Sequence, residues 1–195
     1  MMRIVAGTLR GRTVNAPEGE GTRPTIDRVR EALFSSLYSL RGGFEGAIVL
    51  DAFAGSGALG IEALSRGASF AAFVERDLKA AKVLEYNVRT CGLEANRAAV
   101  LRRDVMNGLP KVTPYAFDLV FLDPPYSYDA AEVLGMVSDL YDGGMVAKGA
   151  IIVYEHALKS ADDVARALQA IGCQVRPSKK YGKTGVTVGI MEGEA

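Results

Sequence analysis

Val49-Leu50-Asp51-Ala52-Phe53-Ala54-Gly55-Ser56-Gly57-Ala58-Leu59-Gly60 is the stretch that decides the fold. An apolar run from Ala47 to Leu50 reads as a buried parallel strand. It leads into an acidic residue, a glycine-rich turn and a helix beginning near Ala58. Gly55 and Gly57 permit backbone angles and close approaches that a side chain blocks. Amides at the start of the helix can meet polar or anionic ligand groups, and the helix dipole adds to the attraction. The stretch therefore reads as a nucleoside-cofactor site at the C-terminal edge of a strand. Spacing alone does not choose the cofactor, because Gly55-x-Gly57-x-x-Gly60 with Glu75 beyond also fits the dinucleotide fingerprint.

Downstream the pattern alternates strand and helix, which predicts a mostly parallel sheet covered on both faces. Strands are expected near 47–51, 70–75, 98–102, 117–122, 149–154, 172–177 and 185–191, with helices near 58–66, 77–91, 129–142 and 160–171. Only the Ser178-to-Thr184 loop separates the last two strands. So short a link excludes a helical crossover and predicts an antiparallel final strand. The fold class is thus α/β, with a seven-stranded sheet.

Upstream, Arg3 to Ala6 and Arg12 to Asn15 read as a hairpin around a Gly7-to-Gly11 turn, and Glu18 to Pro24 as a loop. A helix follows, with Thr25 as its N-cap and Asp27 in its first turn. Ile26, Val29, Leu33, Phe34, Leu37 and Tyr38 share one apolar face. Arg28 and Arg30 are expected largely off that face, open to a ligand or to solvent. Arg41-Gly42-Gly43 ends the helix, which divides the chain into an extension, 1–44, and a main domain, 45–195.

The 195 residues, 49% hydrophobic and 24% charged, suit a soluble α/β domain with a small appendage. No apolar run approaches the roughly 18 residues that cross a bilayer, and the start lacks the apolar core of a signal peptide. Cys91 and Cys173 are too few for a disulfide framework and lack metal-ligand spacing, so they read as reduced thiols in a cytoplasmic protein. Zero formal net charge argues against an indiscriminate nucleic-acid coat. Local charge is less even, with Arg3, Arg10, Arg12, Arg23, Arg28 and Arg30 near one end and Arg176, Lys179, Lys180 and Lys183 near the other. Two such clusters can serve one phosphate-binding rim.

Three further strand ends carry chemistry. Glu75 closes the second strand, where a carboxylate can accept both hydroxyls of a ribose; Asp77 beyond it reads as a helix cap. Asp104 follows the third strand and can accept from an adenine amino group, or cap a helix. Phe117 to Leu122 delivers Asp123-Pro124-Pro125-Tyr126. Two prolines hold the backbone extended and remove two amide donors. The Asp123 carboxylate and the Pro124 carbonyl then form paired acceptors, which suit an amino group with two hydrogens to donate. Tyr126 offers a face on which a planar base can stack. His156, the only histidine, reads as structural.

In this order the glycine turn, Glu75, Asp104 and Asp-Pro-Pro-Tyr resemble Rossmann-like S-adenosylmethionine-dependent methyltransferases that act on exocyclic amino groups. More narrowly, the chain resembles the RsmD family of bacterial 16S ribosomal RNA guanine-N2 methyltransferases. The matching stretches are Arg3 to Gly7, Arg10-Gly11-Arg12, Thr22-Arg23-Pro24-Thr25, Asp27 to Phe34, Asp51 to Ala63, Asp123 to Tyr126 and Val153-Tyr154-Glu155. The resemblance implies methyl transfer from S-adenosylmethionine, without a metal and leaving S-adenosylhomocysteine, to N2 of one guanine (position 966) of 16S rRNA. It implies cofactor contacts at Asp51, Ala52, Gly55, Gly57, Glu75, Asp104 and Val105, and catalysis by Asp123, Pro124 and Tyr126. RNA contacts are expected from the six N-terminal arginines with Lys179, Lys180 and Lys183. The implied partner is 16S rRNA in the 30S subunit or a late assembly intermediate, met by a monomer away from membranes. A DNA adenine-N6 methyltransferase shares the amino-base motif, but the chain has no room for a large DNA target-recognition domain. A nicotinamide oxidoreductase leaves Asp123 to Tyr126 unexplained, and a non-catalytic RNA-binding module needs no cofactor site.

Overall fold

Each expected strand forms, in two compact units, Met1–Asp104 and Val105–Ala195. The computed structural model describes residues 2–17 and 24–192, with backbone alone over 24–27. Arg23, most of the expected 18–24 loop and the side chains of Ile26, the Thr25 cap and Asp27 therefore lie outside the described residues.

The first unit opens with β1 (Met2–Arg3) and β2 (Thr13–Val14), an antiparallel pair shorter than its sequence suggests, followed by α1 (Pro24–Arg41). Then come β3 (Ile48–Asp51), α2 (Ala58–Ser65), β4 (Phe70–Glu75), α3 (Leu78–Thr90) and β5 (Ala98–Arg102). β4 pairs in parallel with β3 on one side and β5 on the other. Val49, Leu50 and Ala71 to Phe73 are buried whichever way they point. That explains why these strands read as continuous apolar runs rather than alternations. α1 buries Leu33, Phe34 and Leu37, with the Phe34 and Phe44 rings 5.3 Å apart. Tyr38, expected on this apolar face, is instead exposed beside Phe44.

The N-terminal segment is fastened to α2. Glu62 is fully buried, and its carboxylate accepts the Val5 N–H at 2.8 Å, the Ala6 N–H at 3.1 Å and Arg66 Nε at 2.7 Å. Arg30 Nε lies 3.5 Å from the same group. One turn on, Ser65 donates to the Ala6 carbonyl at 2.5 Å and accepts the Leu9 N–H at 2.9 Å. Gly7, at φ +83°, makes this approach possible, because a Cβ there would overlap the Ser65 carbonyl.

The second unit runs from a 3-10 turn (Val105–Asn107) through β6 (Phe117–Leu122), α4 (Ala130–Asp142), β7 (Val146–Ala157) and α5 (Ala161–Ala170). It ends in β8 (Cys173–Val175), β9 (Lys179–Tyr181) and β10 (Thr184–Met191). β6 and β7 are parallel, while β10 runs antiparallel to β7, as the short final link requires. β7 is longer than expected at both ends. Its register against β6 slips between Phe117 and Leu119, and Gly149 near this slip sits at φ +81°.

The expected Ser178-to-Thr184 loop is instead a hairpin. β9 pairs with β10 across a two-residue Gly182-Lys183 turn, with Gly182 at φ +62°. A glycine leading a two-residue turn suits the right-handed twist of the flanking strands. Among the described residues, no helix is long and apolar enough to cross a membrane.

Candidate active site

In the first unit, β3 ends in Asp51, which is buried, and its carboxylate accepts the Gly60 N–H at 3.0 Å. The turn between them holds Gly55 at φ +50° and Gly57 at φ +80°. Added side chains would meet different surroundings along this turn. A Cβ on Gly57 would overlap Leu84 and one on Gly60 would overlap Phe73, whereas one on Gly55 meets nothing within 4 Å. Gly60 is thus demanded by packing against the Phe73 ring and Gly57 by its positive φ, while Gly55 leaves open space beside the backbone.

Glu75, at the end of β4, is aimed by two amides: one carboxylate oxygen accepts the Gly55 N–H at 2.8 Å and the other the Asp77 N–H at 2.7 Å. Asp77 caps α3 through the Lys79 and Ala80 amides at 2.9 and 2.8 Å. The carboxyl of Asp51 is raised to about 7. Burial is the main cause; the Gly60 N–H opposes it, and the negative charge of Glu75 adds to it. Asp51, Gly55, Gly60 and Glu75 therefore form one connected acidic edge, and Ala52, next to Asp51, is buried. Asp104, beyond β5, lies 3.4 Å from Arg76 in a partly exposed ion pair.

In the second unit, β6 delivers Asp123 to Tyr126. Pro124 is buried, Asp123 is exposed and Tyr126 is 69% exposed. Val105 is buried at the start of its 3-10 turn. Leu122 lies opposite Tyr154 in the β6–β7 ladder, which brings Glu155 to the same strand ends. Partial burial raises the phenol of Tyr126, and the charges of Glu155 and Asp123 raise it further. Tyr154 is pushed up to about 12 by burial, then by Asp129 and Asp123. Burial also raises the Glu155 carboxyl, against a hydrogen bond from Thr184. Negative charge thus accumulates around the Asp-Pro-Pro-Tyr segment. The sequence marks Glu155 and Tyr154 only through their resemblance to the family's strand end. Their share in this field follows from a ladder register that spacing in the sequence does not reveal.

His156 is locked in place. Nδ1 lies 2.9 Å from the Ala157 carbonyl, an acceptor only, so Nδ1 carries a proton and donates. Nε2 lies 2.8 Å from Thr187 Oγ1, which is 2.5 Å from Ser178 Oγ.

Most of the expected phosphate contacts are open to solvent: Arg3, Arg10, Arg12, Arg28, Lys179, Lys180 and Lys183 are exposed. Arg12 also donates to the Thr90 carbonyl at 3.1 Å, at the C-terminal end of α3. Arg30 is not available, contrary to the sequence reading. Its side chain is 3% exposed, donates to the Arg3 carbonyl and pairs with Glu62. The helical spacing of Arg30 with Leu33, Phe34 and Leu37 places it on the buried face.

A family model described as "Conserved hypothetical protein 95" matches residues 2–190. The chain is 40% identical over 160 residues to Ribosomal RNA small subunit methyltransferase D of Escherichia coli K12, an alignment that covers 82% of this chain and 76% of that protein. The chain belongs to the RsmD family. The solved structure of yhhF from Escherichia coli matches this RsmD-family chain with a TM-score of 0.79 and 31% identity, over 99% of each. The magnesium protoporphyrin IX methyltransferase of Synechocystis PCC 6803, solved with bound SAM, matches at a TM-score of 0.65 and 17% identity, over 89% of this chain and 86% of that one. That likeness shows a shared Rossmann-like fold. In RsmD-family terms, the acidic edge and the Asp-Pro-Pro-Tyr segment occupy strand ends, where α/β folds of this kind hold ligands.

Proposed function

We propose that this RsmD-family chain is a ribosomal RNA methyltransferase that methylates the exocyclic N2 of one guanine in 16S rRNA, with S-adenosylmethionine as donor. The observation that carries the reading is Asp123-Pro124-Pro125-Tyr126 at the end of β6, where an exposed carboxylate and an exposed aromatic ring sit in a field of negative charge. The acidic edge fits the cofactor. Glu75 suits a ribose diol, the Asp51 and Glu75 carboxylates suit a cationic ligand, and Gly55 opens the backbone to it. Asp51, Ala52, Gly55, Gly57, Glu75, Asp104 and Val105 form the cofactor-binding set. Bound there, the cofactor supplies an activated sulfonium methyl group.

The lone pair of a guanine N2 is delocalised into the ring and is a poor nucleophile. Asp123 and the Pro124 carbonyl accept its two hydrogens and favour a tetrahedral nitrogen with a localised lone pair. Fixing that nitrogen in line with a methyl donor can lower the barrier by about 7–11 kcal/mol at most. The nitrogen gains positive charge as it is alkylated, and Asp123 and Glu155 stabilise it until its proton passes to solvent. Asp123 is thus a positioning acceptor rather than a strong base. Tyr126 stacks the unpaired base, worth about 1–3 kcal/mol. Residues 1–44 form the RNA-positioning extension, and Arg3, Arg10, Arg12, Arg23 and Arg28 with Lys179, Lys180 and Lys183 contact phosphates.

Labelled S-adenosylmethionine incubated with unmethylated 30S subunits, free 16S rRNA or duplex DNA, followed by digestion, tests this. N2-methylguanosine from a ribosomal substrate, lost in Asp123→Ala, is the expected product. N6-methyladenine in DNA would overturn the substrate assignment.

A further inference from the structure

Asn87 lies on the inner face of α3, fully buried, and its carboxamide is shared by two segments remote in sequence. Nδ2 donates to the Asn15 carbonyl and to the Ser56 carbonyl, each at 2.9 Å, and Oδ1 accepts the Asn15 N–H at 3.0 Å. A planar amide donates along two fixed directions, so it cannot turn toward one carbonyl without losing the other. Ser56 is the buried centre of the Gly55-Ser56-Gly57 turn, whose two glycines both sit at positive φ. Asn15 follows β2 directly, just beyond Arg10 and Arg12. The other end of that hairpin is held by Glu62 of α2, the helix that begins at the same glycine turn. Both ends of the arginine-bearing hairpin are therefore tied to helices that flank the proposed cofactor site.

Resting on the rRNA-methyltransferase reading, we propose that Asn87 is a positioning residue that registers the cofactor turn against the N-terminal RNA-binding segment, so that cofactor and RNA each strengthen the binding of the other. The residue type is specific. Aspartate would set a carboxylate oxygen against two carbonyls, and leucine would take this partner from one buried and two part-buried backbone groups. Coupling of this kind is reciprocal, and typical values are about 5–150-fold.

The test measures the affinity of the full chain for free 16S rRNA, with and without saturating S-adenosylhomocysteine. Wild type should bind RNA at least about 5-fold tighter with the cofactor product present. In Asn87→Ala that ratio should fall to about 1. A purely structural role would lower the melting temperature and the active fraction but leave the ratio unchanged. A ratio retained in the variant, or absent in wild type, overturns the proposal. Should the variant not fold, hydrogen exchange on wild type decides. S-adenosylhomocysteine should slow exchange at residues 13–17, and unchanged exchange despite cofactor binding refutes the coupling. Wild type that binds neither S-adenosylhomocysteine nor RNA instead refutes the methyltransferase reading, and this inference with it.

Discussion

Asp51→Asn isolates the electrostatic strain at the end of β3. In the folded chain the Asp51 carboxyl is held at about 7, against 3.8 for an unperturbed carboxyl, chiefly because burial disfavours its charge. A folded value above the unfolded one means the native state binds more protons between those two pH values. Its contribution to stability is therefore present in full below about pH 4 and is lost as the pH rises through 7. The full loss, with the carboxylate charged in both states, is about 4 kcal/mol. Between pH 5 and pH 8 the change is about 2–3 kcal/mol. Asparagine keeps an oxygen for the Gly60 N–H and carries no charge. Its extra N–H donors add a cost of about 1–3 kcal/mol that does not depend on pH. Urea unfolding at half-unit intervals from pH 5 to 8, without ligand, gives the wild-type-minus-variant stability. That difference should fall by about 2–3 kcal/mol across the range. A difference that stays flat above pH 5 would show an ordinary carboxyl and refute the argument from burial.

Four other outcomes follow from the same geometry. A cationic cofactor favours the charged form of Asp51, so S-adenosylmethionine affinity measured calorimetrically should rise from pH 6 to pH 8 and flatten in Asp51→Asn. Asp123→Ala should lower turnover by about 10³-fold while leaving cofactor affinity nearly intact; a near-normal rate would remove Asp123 from the mechanism. Gly57→Ala meets both φ +80° and the Leu84 side chain, which should cost about 2–4 kcal/mol in denaturant unfolding. Glu62→Ala leaves the Arg30 and Arg66 guanidiniums without their shared buried carboxylate. It should lose about 3–5 kcal/mol, with Glu62→Gln milder because it keeps an acceptor for the Val5 amide.

The linear sequence determined what local chemistry controls. Unbroken apolar runs announced β3, β4 and β6, because parallel strands are buried on both faces and carry no alternation. The glycine turn, the Glu75 strand end and Asp-Pro-Pro-Tyr were legible because each is a contiguous backbone constraint acting within a few residues. The Gly182-Lys183 hairpin is also written there, as a two-residue glycine-led turn. Tertiary structure alone decided which polar groups meet. Arg30 leaves the solvent because Glu62, thirty-two residues on, is buried against it. Asn87 finds its partners at Asn15 and Ser56, and the field on Tyr126 depends on Glu155 from the neighbouring strand. Hydrogen bonds and desolvation act over a few ångströms in space, whereas sequence spacing reports neighbours only along a helix or strand. A buried amide or ion pair assembled from remote segments therefore leaves no periodic mark on the chain.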